Sequence, residues 1–449
     1  MRSLPRFILS TAALALAGTT AMSATPALAQ KKKDEKAAKA PALELSKEFR
    51  AGAVAAQTAM AKADAPIAEM AKLEQAGNSA GAAAKLAEAK TVMLAAKPAV
   101  DALIPLAKNA DENYFLGDMQ RRVGIVTEDN AYAKAGIERI ISSGKADAKT
   151  QSGLLLTLGK FAYNAKDYAG ALAAFEKARA AGSSSEDLDV LYLDTHFRAG
   201  QTDKGIQLAK TMIAARRAAG QAVPLSFLEA PAVALSKAKR NAELMPFLVD
   251  RVEYYPTGGH WSDALEGAFR TAPNNDVRID VYRLRSAANL MKDDYDYNSY
   301  SFLAAELGLP AESINAITTG RSKVKIAGAA ASEMTARETT QKGKLATDTV
   351  ASIAASEGAA KSAATGRVAK GTGDAWLSHG ENAKAAAMYQ LALTKGGVDA
   401  DLVNTRLGIA LARQGDTAGA KAAFAKVSGP AYATTARLWT VYLDKGVKG

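Results

Sequence analysis

A ladder of glycine, alanine, aromatic and alanine recurs three times in this chain and limits what it can fold into more than any other feature. From Gly159, Ala171 follows after twelve residues, Phe175 after four more and Ala178 after three more. The same spacing returns at Gly373, Ala385, Tyr389 and Ala392, and again at Gly408, Ala420 and Phe424, with Val427 in the last place. An acid, Asp167, Glu381 or Asp416, stands eight residues after each glycine. Alanine matches cost little in an Ala-rich chain, so the weight rests on the glycine, the aromatic and the acid. This order describes two helices joined by a turn. The small residue sits where the second helix crosses the first, and the acid caps the second helix or meets its dipole. Alanine then permits close packing, and the aromatic one turn later is expected to fill the gap to the next hairpin. Such a hairpin cannot bury its own apolar face and must stack on neighbours. Composition agrees: 13 prolines in 449 residues and 6% aromatics leave little of the alternation that strands require.

These segments resemble tetratricopeptide repeats. The match is good over 152–185 and 401–434, fair over 366–400 and degenerate over 186–219. In the degenerate unit the ladder lands on Leu193, Gly205 and Ala209, and only "RAGQTDKGIQLAK" keeps the turn. The recognisable part is about a third of the chain. The resemblance implies an all-α, right-handed helical-hairpin solenoid. Outside it, "NYFLGDMQRRVGIVTEDNAYAKAGIERIISSG" has Leu116-Gly117 followed by a lengthened turn, and "GLPAESINAITTG" reads as half a unit. Together with "DVYRLRSAANLM", "DDYDYNSYSFLAAELGLPAES" and "LALTKGGVDADLVNTRLGIAL", the pattern is similar to proteobacterial envelope proteins with such repeats. That likeness implies a fold and a compartment rather than an activity.

The first residues predict export. Arg2 and Arg6 precede an apolar run from Phe7 to Gly18 and then Ala27-Leu28-Ala29, a small-x-small site for signal peptidase. Cleavage after Ala29 yields a periplasmic, soluble chain, because no apolar run approaches the ~20 residues of a spanning helix. Without cysteine the chain has neither lipidation at a cysteine nor disulfides. Loss of Arg2 and Arg6 lowers the formal charge from +11 to +9, spread out except for "KKKDEKAAK" at 31–39. Residues 30–42 read as a basic disordered linker, whose alternative role is contact with anionic lipid or envelope polymer. Nucleic acid is not an expected partner. The remaining divisions are an Ala-rich helical region (43–110), repeats (111–219), a helical-hairpin middle (220–320), an Ala/Ser/Thr-rich helical segment (321–365) and a C-terminal repeat pair (366–449), expected to form one elongated body.

Three motifs invite a chemical reading. "YYPTGGHWSDAL" at 254–265 holds His260 beside Ser262 and Asp263, but neighbours at a helix start do not face one another as a triad must. It reads as a joint: Pro256 stops one helix, Thr257-Gly258-Gly259 connects, His260 is exposed, and Trp261, Leu265 and Phe269 form a face of the next helix. In the helix after "TAPNND", Val277, Val281, Leu284 and Ala288 are expected inward and Arg278, Arg283 and Arg285 largely outward. "GNSAG" at 77–81 matches a nucleophile elbow but lies between helical segments. "DDYDYN" resembles the start of a calcium loop, with Ser299 in place of the glycine and Ala305 in place of the closing glutamate; a helix start with inward tyrosines fits better. Single histidines, His196, His260 and His379, give no zinc spacing, so neither metal nor cofactor is expected.

The surface the resemblance does imply is a groove lined by the first helix of each hairpin. That places Lys160, Tyr163, Asp194, Phe197 and Arg198 forward in the central pair, and Arg367, Lys370, Asp374, Ile409 and Arg413 near the C-terminus. The family's carboxylate-clamping lysine and asparagine are replaced here by Leu156 and Asp374. The expected function is a non-enzymatic scaffold for a protein or peptide. The alternative is a structural envelope protein assembling with itself or with polymer, and a hydrolase comes third.

Overall fold

The computed structural model describes residues 43–448. The signal segment 1–29 and the basic linker 30–42 lie outside the described residues. Every regular element among the described residues is helical, from Lys47–Ala61 to Pro430–Lys445. None of these helices is long and apolar enough to cross a membrane. The fold is therefore an all-α helical-hairpin repeat. The described residues divide into two compact units, one ending at Gly200 and the other beginning at Gln201. The division falls inside the degenerate repeat, between its helices Glu186–Arg198 and Thr202–Ala218.

In the first unit the ladder works by a contact that the sequence reading placed one hairpin too far. A Cβ on Gly159 would come 2.3 Å from the Phe175 ring, so the aromatic lies over the glycine of its own hairpin. Gly373 under Tyr389 (2.8 Å) and Gly408 under Phe424 (2.4 Å) repeat this in the second unit. The ring still reaches onward, since Phe175 shares a core with Leu188 of the following helix. Asp167 and Asp416 cap their helices by accepting from Gly170 N at 2.9 Å and Gly419 N at 2.8 Å. Glu381 makes no such cap, because its carboxylate turns to Lys384 instead.

The hairpin of Ala110–Thr127 and Asn130–Ser142 corrects another expectation. Its first helix is lengthened, not its turn, which is only Glu128 and Asp129. Glycines hold the longer pair together: a Cβ on Gly117 would meet Gly136 O at 2.7 Å, and one on Gly124 would meet Ala133 N at 2.3 Å. Glu112, buried in this helix, accepts from Ser46 N at 2.9 Å, Lys108 N at 2.7 Å and Asn109 N at 3.1 Å. Burial opposes its ionisation, yet these donors hold its carboxyl down to about 2 and tie the first described residues to the repeats.

The second unit closes on itself. The last helix, Pro430–Lys445, packs against Asn241–Tyr254, Asn275–Ala287 and Ala400–Arg413. Arg437 bonds Asp250 and Glu253, and Tyr442 Oη donates to Ala287 O at 2.7 Å. Lys448 N donates to Pro256 O at 2.8 Å, tying down the C-terminal tail. The pairings span 155 to 187 residues of sequence, except for the tail bond, which spans 192.

Candidate functional site

Of the predicted central groove residues, Tyr163, Asp194 and Arg198 come together, on the neighbouring helices Ala148–Asn164 and Glu186–Arg198. Tyr163 Oη donates to Asp194 Oδ2, which also accepts from Arg198 Nε at 2.6 Å. The Arg198 guanidinium lies 5.3 Å from the centre of the Tyr163 ring. Phe197, half-buried, precedes Arg198 in the same helix, and Lys160 Nζ sits 3.4 Å from Asp187. Burial first, and then the Asp194 carboxylate, push the Tyr163 phenol far above its ordinary range, so it stays a neutral donor. The cluster offers an aromatic face and charge at one surface. Its cations are already paired, so a ligand must compete with Asp187 and Asp194.

The C-terminal candidates fare differently. Asp374 is buried, accepting from Tyr389 Oη at 2.7 Å and Arg406 Nη1 at 2.9 Å, and Lys370 is turned onto it at 2.8 Å. Ile409 is fully buried. Asp374 and Ile409 therefore line no open groove, and the half-buried Lys370 is taken up by Asp374. The chain's own helix Asn275–Ala287 packs on Ala400–Arg413, with Arg406 reaching Asp276 and Asp280. Arg413 is half-buried, and its charge acts on buried Glu312. Only Arg367 remains exposed.

What fills that interior is an ionic cluster that sequence reasoning missed. Arg283, expected outward, is fully buried and donates to Asp280 at 2.7 Å and to Glu312 at 2.9 and 2.6 Å. Arg285, also expected outward, is buried against Asp296. Both face inward because buried carboxylates neutralise them, a cost that hydrophobic periodicity cannot register. Arg278, half-buried, keeps nearer to expectation. Burial raises the Asp280 carboxyl despite Arg406 and Arg283, whereas Arg283 overcomes burial at Glu312 and brings it to about 2. The signal available in the sequence was Asp280-x-x-Arg283, an i, i+3 pair on the face that also carries Ile279 and Tyr282.

The chemical motifs resolve into helix starts. Thr257 caps Gly258–Thr271 by accepting from His260 N at 3.3 Å, so the two glycines belong to its first turn rather than to a loop. Trp261 is fully buried and donates from Nε1 to Gly446 O at 3.0 Å. His260 is half-buried, not exposed; its Nδ1 lies 2.7 Å from the Tyr255 carbonyl, which can only accept, so Nδ1–H donates. Asp263 is taken by Arg251 at 2.7 Å. In "GNSAG", Gly77 is left-handed (φ 74°) and Asn78 caps Ser79–Asp101. In "DDYDYN", Asp293 caps Asp294–Glu306, and Tyr297 and Tyr300 point inward while Tyr295 is 67% exposed.

No family model and no curated protein matches the sequence. Structural matches include the pentatricopeptide repeat protein PPR10 from maize, 13% identical with a TM-score of 0.26 over 81% of this chain and 62% of that one. The TPR domain of P58(IPK) is 14% identical, TM-score 0.21, over 86% of this chain and 98% of the other. A chain of the Naa15/Naa10 assembly bound to HypK-THB is 14% identical, TM-score 0.22, over 85% and 61%. This chain thus spans less than two thirds of the maize protein. The repeat fold stands on the hairpin contacts described above.

Proposed function

We propose that this chain is an exported, non-catalytic repeat scaffold that holds a protein or peptide partner against the face built by Lys160, Tyr163, Asp194, Phe197 and Arg198. The observation that carries the reading is the Tyr163–Asp194–Arg198 cluster on adjacent first helices. Aromatic and arginine side chains at one point are what binding hot spots are made of. In the second unit the corresponding surface is filled by the chain itself, which favours the first unit as the docking face. Replacing Phe197 and Arg198 together by alanine should weaken capture of the partner by at least about tenfold. The helical circular-dichroism signal should not change. Equal capture by the variant removes this face from the function.

The periplasm is the proposed compartment, on the strength of Arg2, Arg6, the apolar run after them and Ala27-Leu28-Ala29. The mature chain should begin at Gln30 and fractionate with soluble periplasm. N-terminal sequencing that found Met1 on a cytoplasmic protein would overturn that assignment.

A further inference from the structure

A cleft of about 280 Å³ in the second unit is lined by Phe269, Arg278, Asn298, Phe302, Glu333 and Arg337, among others. It belongs neither to the face proposed above nor to the buried ionic cluster. Its two arginines lie on phenylalanine faces, Arg278 at 5.7 Å from the centre of Phe269 and Arg337 at 5.5 Å from that of Phe302. Both use their hydrogen bonds on neutral acceptors. Arg337 Nη1 donates to Asn298 Oδ1 and Ser301 Oγ, each at 2.8 Å, and Arg278 Nη1 donates to Asn275 Oδ1 at 3.2 Å. The nearby carboxylate, Glu333, accepts from Asn298 Nδ2 at 2.7 Å. Among the described residues neither guanidinium has a carboxylate within salt-bridge distance, so the cleft holds two cations against one anion. Burial moves Arg337 below its usual range, with Glu333 offsetting only part of the effect.

Stacking on a ring holds a guanidinium flat and leaves its edge donors free, which suits two-pronged recognition of a carboxylate. Phe302 is 48% exposed and gives the same cleft an apolar wall. The volume is at the small end of ligand pockets, ~300–1,000 Å³, and admits side chains rather than a folded surface. We infer that this cleft binds an acidic side chain of a peptide with an aromatic residue beside it, the carboxylate between Arg278 and Arg337 and the ring on Phe302. The inference rests on the partner-binding reading for the nature of its occupant, but it concerns a separate site.

The test uses the full mature chain and a fluorescein-labelled short peptide with phenylalanine between two aspartates, followed by fluorescence anisotropy. Saturable binding is expected, and a peptide with asparagines in place of the aspartates should not bind. Arg337→Gln, which removes the cation from the cleft, and Phe302→Ala, at an exposed position, should each weaken binding by at least about tenfold, and an unchanged helical circular-dichroism signal should show that each variant is folded. The double alanine variant at Phe197 and Arg198 should bind this peptide like the parent, which separates failure of this site from failure of the other face. Absence of saturable binding overturns the inference. So does equal binding of the asparagine peptide, unchanged affinity in both cleft variants, or loss confined to the Phe197 and Arg198 variant.

Discussion

Replacing Trp261 by alanine should destabilise the protein by about 3–5 kcal/mol, the range for deleting a large aromatic from a packed interior. The indole is fully buried, meets Tyr442 edge-on at 6.1 Å and donates to Gly446 O. Its loss therefore opens a cavity and also releases the C-terminal tail, which is held at the same place by the Lys448–Pro256 backbone bond. The neighbouring substitution His260→Ala removes one hydrogen bond from a half-buried ring, for which about 0.5–1.5 kcal/mol is expected. Thermal melts of both variants decide the matter. A larger loss from the histidine than from the tryptophan would sink the reading of this stretch as a structural joint. Deleting the last four residues, Gly446 to Gly449, should reproduce part of the tryptophan effect while leaving the core itself intact.

The repeats were legible in the sequence because each is a local object. Gly159, Asp167 and Phe175 lie within one hairpin, so their spacing reveals the hairpin, although it does not reveal that Phe175 covers the glycine of its own hairpin or that Glu381 leaves its helix uncapped. The helix start at Asp167 was legible for the same reason, since it caps a backbone group three residues on, whereas the two glycines after Thr257 read as a loop and hide the cap there. Closure of the second unit was not legible. It depends on Arg406 meeting Asp276 and on Trp261 meeting Gly446, 130 and 185 residues away. No periodicity records such pairings. Reading Arg283 and Arg285 as solvated followed the ordinary rule that charged residues stay outside unless paired. Their partners, Glu312 and Asp296, lie on other helices. The candidate site divides along this line. Tyr163, Asp194 and Arg198 come together because adjacent repeats place them, whereas Asp374 and Ile409 are buried, and Asp374 lies in an ionic interior that Arg406 links to Asp276 and Asp280, remote in sequence.

That covering makes Arg406 the position where one substitution should cost the most in the second unit's interior. Its side chain is 2% exposed. It reaches Asp374 at 2.9 Å and Asp276 at 2.6 Å, and its Nε lies 3.6 Å from Asp280. Arg406→Met keeps much of the volume and leaves Asp280 and Asp374 buried with one fewer cation each. Removing one member of a buried ionic group costs about 3–5 kcal/mol, since the remaining charges stay desolvated. The pH dependence follows from the same carboxylates. Burial already raises Asp280, while Arg406 helps to overcome burial at Asp374 and hold it below the usual range. Without the guanidinium both folded-state values rise, and above them the ionised, buried forms carry the penalty. Lowering the pH through those values protonates the folded state before the unfolded chain, whose aspartates titrate near ~3.9, and so returns stability to the variant. The gap in melting temperature between parent and Arg406→Met should therefore be widest near neutral pH and narrow on acidification. A gap that stays constant or widens would show that the methionine costs packing rather than charge compensation. A loss below about 1 kcal/mol at neutral pH would show that Lys370 and Arg283 suffice for Asp374 and Asp280.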